Sequence, residues 1–219
     1  MSAALYQAFD AHVDEYDAWY DSQAGSAIFA MEVECLRPFL HRHRRPYLEI
    51  GVGSGRFAQA LGVEYGIDPA LALLHLAKAR VVQVLRAAGE ELPFPDKTFG
   101  GILIALTLCF VHEPKKVLQE AFRVLQPGGG LVLGLILKGS PWAEYYHEKG
   151  KQGHPIFSKA RFFIRQELES LLKSKGFENL EYRSVLFQPP GQDNYYIEQP
   201  VSEYNAKAGF VAIKSICLR

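Results

Sequence analysis

Net charge is the first thing this chain lacks: 24 Lys plus Arg stand against 24 Asp plus Glu in 219 residues. Without an overall field to attract a polyanion, nucleic acid is not expected as a partner. Cysteine is scarce. The three present, Cys35, Cys109 and Cys217, are odd in number, far apart and free of C-x-x-C spacing, which argues against a disulfide framework or a metal site and for reduced core thiols. Long apolar runs are missing too. The longest, 101–111, is too short to span a bilayer, and the start is not basic and then apolar, so no secretory signal is visible. The expectation is a cytoplasmic protein with no membrane partner. Neither repeats nor a linker appear, and one domain over 1–219 is expected.

What the chain does have is an ordinary globular composition, 48% hydrophobic and 22% charged, and one unusual stretch, YLEIGVGSGRF at 47–57. An apolar strand carries Glu49 and opens into Gly51, Gly53 and Gly55, which let the backbone turn tightly and approach a ligand. The dinucleotide fingerprint G-x-G-x-x-G needs a third glycine where this chain has Arg56. A second strand, 63–67, ends at Asp68, placed to accept hydrogen bonds from both ribose hydroxyls. That suits an adenosine moiety without a pyrophosphate.

Apolar periodicity predicts an amphipathic helix over 5–20 with Leu5, Phe9, Val13, Tyr16 and Tyr20 on one stripe, ended near Gly25. A second helix is expected over 27–40 with a break near Pro38. From residue 47 onward the pattern alternates: strands 47–51, 63–67, 81–85, 99–106 and 130–137, helices 56–61, 70–79 and 115–124. Such alternation implies a parallel sheet covered on both faces. QPGGG at 126–130 breaks the pattern before LVLGLIL, expected as the fifth and central strand. Residues 140–157 show no clear period and read as an irregular insertion; helix 165–175 and strands 180–187 and 210–218 close the chain.

YLEIGVGSG, YGIDPA, GEELPFPDKTF and EAFRVLQPGGGLVLG, in this order over 47–135, resemble the successive motifs of class I S-adenosylmethionine-dependent methyltransferases. The resemblance implies a Rossmann-like α/β fold: a seven-stranded, mostly parallel sheet with helices on both faces and an antiparallel last strand. It implies an N-terminal helical lid (1–45), a cofactor-binding core (46–138), a lid insertion (139–164) and a C-terminal helix with a closing strand pair (165–219). S-adenosyl-L-methionine is the implied cofactor, and direct in-line transfer to a small-molecule acceptor the implied reaction, by a monomer or homodimer. The donor site implied is Glu49, Gly51, Gly53, Gly55, Asp68, Pro69, Gly89, Glu90, Ala105 and Leu106, closed by Tyr16 and Tyr20. Relatives carry an aspartate where this chain has Ala88, so adenine is expected against Gly89 and Glu90.

Several residues admit two readings. Asp68 binds ribose or caps the following helix. Tyr16 and Tyr20 close over a sulfonium by cation–π attraction or simply pack on the sheet. Trp142, Tyr146 and His147 offer acceptor contacts, or pack the insertion or a dimer face. His112 reads as a loop histidine, and no general base stands out. Rival functions are a catalytically inactive S-adenosylmethionine-binding sensor or partner subunit, and an NAD-dependent oxidoreductase, against which Arg56 counts.

Overall fold

The computed structural model describes residues 3–80 and 83–218, the side chains from residue 7 onward. The side chain of Leu5 in the expected stripe, and Val81 and Val82 in the expected third strand, therefore lie outside what is described. The seven strands are β1 (Tyr47–Ile50), β2 (Tyr65–Asp68), β3 (Gln83–Arg86), β4 (Phe99–Ala105), β5 (Leu125–Leu135), β6 (Phe177–Val185) and β7 (Phe210–Cys217). They form one sheet in the order β3-β2-β1-β4-β5-β7-β6. Strands β1 to β5 pair in parallel, and β7 runs antiparallel to both its neighbours. The middle position belongs to β4 rather than to β5. Strand order reverses between β1 and β4, and a crevice opens there at the carboxyl ends of the strands.

The helices are α1 (Ala3–Ala11), α2 (Val13–Trp19), α3 (Gln23–Leu40), α4 (Arg56–Leu61), α5 (Leu71–Ala79), α6 (Pro114–Val124), α7 (Pro141–Lys151) and α8 (Arg165–Ser174). Along β4 and β5 side chains alternate between two apolar layers. Ile102, Ile104, Leu131 and Leu133 pack with α6 and α8; Leu103 and Val132 pack with α3, α4 and α5. A strand covered on both faces is apolar throughout, which is why 130–135 shows no polar alternation.

Five local expectations change. The first helix is two, α1 and α2, broken at His12. Gly25 does not end it; Gly25 lies in the first turn of α3, where its N–H donates to the Ser22 cap at 3.0 Å, and a Cβ there would overlap the Trp19 carbonyl. Pro38 sits inside α3 without ending it. The stretch 126–130 is part of β5: three extra residues bulge out between the pairs Phe99–Leu125 and Gly101–Gly130, with Gly128 at φ +75°. The insertion is also regular. Ser140 caps α7 by accepting from the Ala143 N–H at 3.1 Å, Pro141 occupies the first turn, and Lys149 and Lys151 sit in the last. Those cues outweigh a weak hydrophobic period.

Three side chains of the basic stretch HRHRR at 41–45 are held by other elements. Arg42 meets Glu181 at 2.7 Å, Arg45 pairs with Glu64, and His41 bonds the Leu61 carbonyl at 3.0 Å. No helix among the described residues is long and apolar enough to cross a membrane.

Candidate active site

The turn after β1 is built by two left-handed glycines, the first of them two residues past a buried acid. Gly51 (φ +76°) and Gly53 (φ +52°) reverse the backbone, and the N–H groups of Gly51 and Val52 both donate to the Ile67 carbonyl, at 2.8 and 2.9 Å. This ties the turn to the end of β2. Asp68 completes the tie: one carboxylate oxygen accepts from Gly53 N–H at 3.0 Å, the other from Ala70 N–H at 2.9 Å. Asp68 accepts from the residue just before α5 and also lines the cavity. Burial pushes its carboxyl up to about 6 against the pull of those two N–H groups.

Glu49, on β1, is 1% exposed. Its Oε2 has no hydrogen-bond partner, and burial first, then repulsion from Asp68, holds its carboxyl well above the usual carboxylate range. A buried carboxyl in this state is costly unless a cation or donor meets it.

These groups face a cavity of about 540 Å³ at the carboxyl edge of the sheet. It gathers Tyr16, Tyr20, Glu49, Gly51, Gly53, Asp68, Ala105 and Leu106 from the expected donor site, and Trp142 and Tyr146 from the expected acceptor set. Leu106 has φ +51°, a strained conformation for a branched residue of the kind that collects at functional sites. Tyr16 and Tyr20 form the roof, their rings edge-on at 5.7 Å and their hydroxyls 3.3 Å apart. Burial pushes the Tyr16 phenol up to about 12.

Other expected residues lie off this wall. Gly55 packs its Cα against α5, where a Cβ would sit 2.9 Å from Ala77 Cα. Pro69 is buried behind Asp68. Gly89 fills a gap under Ile50 and Val117, and the Glu90 carboxylate accepts from the His112 and Glu113 N–H groups at 3.1 and 3.4 Å, so neither reaches the cavity as expected. His147 is on the exposed side of α7.

Residues the motifs did not suggest complete the site. Thr107 donates to the Gly51 carbonyl at 3.2 Å and bars any side chain at Gly51. Arg56 holds α2 and the turn after it: it donates to the Asp17 carboxylate at 2.9 and 3.0 Å and to Asp21 at 2.6 and 2.7 Å. Arg80 joins from α5, donating to Asp17 at 2.6 Å and to the Ser54 carbonyl at 2.7 Å. Glu32 also lines the cavity. The signal for it was present: Ile28, Glu32, Cys35, Leu36 and Phe39 follow helical spacing, and Glu32 is the single acid on that apolar stripe.

The glycines make a direct test. Gly55→Ala combines a left-handed φ of +84° with a clash on α5 and is expected to cost about 3 kcal/mol. Gly53→Ala bears the φ strain alone, about 1–2 kcal/mol, since its Cβ would make only ordinary contact with Tyr16, its hydroxyl at 3.5 Å and a ring carbon at 3.9 Å. Thermal melts should show the larger fall in Tm for Gly55→Ala; the reverse order would mean that the two glycines have been assigned to the wrong faces.

Comparison with known proteins is consistent with this geometry. A family model described as a methyltransferase domain matches residues 48–133. An uncharacterised protein of Mycobacterium tuberculosis is 47% identical over 201 residues, covering 92% of this chain and 70% of its own length. Another from Methanocaldococcus jannaschii is 35% identical over 207 residues, covering 94% of this chain and 97% of that one. A crystal structure from Thermotoga maritima, described as an S-adenosylmethionine-dependent methyltransferase and possible histamine N-methyltransferase, superimposes with a TM-score of 0.87 at 29% identity, over 97% of this chain and 99% of that chain.

Proposed function

The chain belongs to the class I S-adenosylmethionine-dependent methyltransferases, and we propose that its acceptor is a small, partly apolar molecule methylated by direct in-line displacement. The observation that carries the reading is the pairing of Glu49 and Asp68 across the Gly51–Gly53 turn, on the wall of one cavity. The unpartnered Oε2 of Glu49 fits a ligand ammonium. Asp68 keeps lone pairs beyond the two N–H groups it already accepts from, and these fit ribose hydroxyls. Gly51 and Gly53 bring backbone close to such a ligand, Ala105 and Leu106 floor it, and Tyr16 and Tyr20 cover it with aromatic faces that favour a sulfonium.

When bound, S-adenosylmethionine supplies a methyl group already activated on sulfur. The chain then has to align the acceptor and keep water out, and alignment alone is worth roughly 7–11 kcal/mol. The roof formed by α1 and α2 and the wall of α7 serve that exclusion. Support for a small acceptor comes from the enclosed aromatic end of the cavity, where Trp142 is 2% exposed and Tyr146 lies beside it, ring centroids 6.1 Å apart. The Thermotoga maritima protein's description names a small molecule too.

Isothermal titration with S-adenosylhomocysteine is expected to show one saturable site, and NADH no comparable binding. A flat S-adenosylhomocysteine titration on folded protein would remove the donor-site assignment; methylation of macromolecules but of no small amine, thiol or phenol would remove the acceptor assignment.

A further inference from the structure

Glu32 is a buried acid for which the donor site has no use. It stands on α3, 3% exposed, with Oε2 unpartnered, and no ion pair holds it among the described residues. It shares the cavity with Glu49; Tyr20 feels the charge of both acids, but Tyr146 on α7 feels Glu32 and not Glu49, and Asp68 acts on Glu49. Glu32 is thus placed toward the aromatic end of this cavity, whose wall also holds Tyr146 and Trp142.

We propose that Glu32 is the acceptor-binding and proton-accepting residue, and that the acceptor is a small organic amine with an apolar or aromatic body. This rests on the methyltransferase reading above. The reason is charge and shape together. A lone carboxyl in an apolar pocket is relieved by an ammonium and far less by a hydroxyl or a thiol, and the aromatic faces around it attract the same cation.

The chemistry closes without another reactant. The ammonium nitrogen passes one proton to the Glu32 carboxylate, leaving a neutral amine beside a neutral acid. The nitrogen lone pair forms the new N–C bond while the S–C bond of the donor breaks, its electrons staying on sulfur. The products are an N-methylammonium and S-adenosylhomocysteine, and the proton on Glu32 passes to solvent when the next ammonium binds. Burial, which pushes the Glu32 carboxyl up to about 8, brings it near enough to an amine for such sharing.

The variant Glu32→Gln should fold. A carboxyl raised in the folded state gives stability that is full below its unfolded value and lost as pH rises through about 8, so the amide is expected to melt at or above the parent at pH 9. The titratable groups that feel its charge are Cys35 on α3, Tyr20 after α2 and Tyr146 on α7.

The test is equilibrium binding to the S-adenosylhomocysteine complex, using small aromatic amines, such as 2-phenylethylamine, each paired with the alcohol of the same skeleton. Amines should bind at least about tenfold tighter than their alcohols and release a proton, seen as a heat that depends on the buffer. Glu32→Gln should lose about tenfold for amines, nothing for alcohols, and keep its affinity for S-adenosylhomocysteine. Equal binding of amines and alcohols, no amine binding across the panel, or a loss of S-adenosylhomocysteine affinity in Glu32→Gln overturns the proposal, the last by assigning Glu32 to the donor. Failure of the parent to bind S-adenosylhomocysteine would instead strike the reading beneath it.

Discussion

Asp68→Ala is expected to weaken S-adenosylhomocysteine binding by about 100-fold. Two effects combine. The substitution removes the carboxylate that fits the ribose hydroxyls, where hydrogen bonds to a charged group are worth about 1.5–3 kcal/mol each, and every 1.4 kcal/mol is about tenfold in affinity. It also strips Gly53 and Ala70 of their acceptor, so the turn that approaches the ligand is no longer tied to α5. Asp68→Asn keeps the shape and one acceptor oxygen and should lose roughly tenfold. Binding in the parent should also weaken as pH falls below about 6, where the buried carboxyl takes a proton. Titration calorimetry on variants whose melts remain cooperative checks this; an Asp68→Ala protein that binds like the parent would remove Asp68 from the donor site.

The second large effect is expected where α2 meets the glycine turn. Asp17 lies between two guanidinium groups, each of them on an element that flanks the glycine turn, Arg56 at the start of α4 and Arg80 at the end of α5. Its side chain is 15% exposed, so Asp17→Ala should cost about 2 kcal/mol, somewhat less than the 3–5 kcal/mol of a fully buried broken pair. The remaining Arg56 and Arg80 would face each other with only Asp21 nearby. Near 2–4 °C per kcal/mol for a chain of this size, Tm should drop by roughly 6 °C. Burial pushes the Asp17 carboxyl up, but hydrogen bonds led by that from Arg56 outweigh it and hold the group well below the usual carboxylate range. Its contribution is therefore complete above about pH 4 and lost as pH falls toward the folded value, so the gap between parent and variant should close in acid. Equal melting temperatures at pH 7 would mean that the latch adds nothing to stability.

Arg56 shows how one residue can be read correctly and incompletely. Its presence at the third fingerprint position argued against a pyrophosphate site, an inference from what is missing. In three dimensions the same side chain binds α2 to α4, and nothing in a local window could connect position 56 with position 17. Glu90 shows the opposite. The motif around it placed adenine nearby, yet the fold turns its carboxylate toward the backbone of 112 and 113. The α7 helix differs from the expected irregular insertion for a third reason. Its capping serine and first-turn proline were in plain view, but a helix with polar and aromatic residues on several sides has little periodicity to notice.

Linear order was enough for the glycine turn, for the acids closing β1 and β2, and for the succession of strands and helices. Those features are short-range: backbone conformations that glycine favours, a residue or two between strand and turn, and apolar repeats set by the geometry of each element. Assembly alone brought Glu32, Glu49, Tyr146 and Thr107 to a common wall, because helices and loops far apart in the chain had to pack on one sheet edge before any of those side chains could share a cavity.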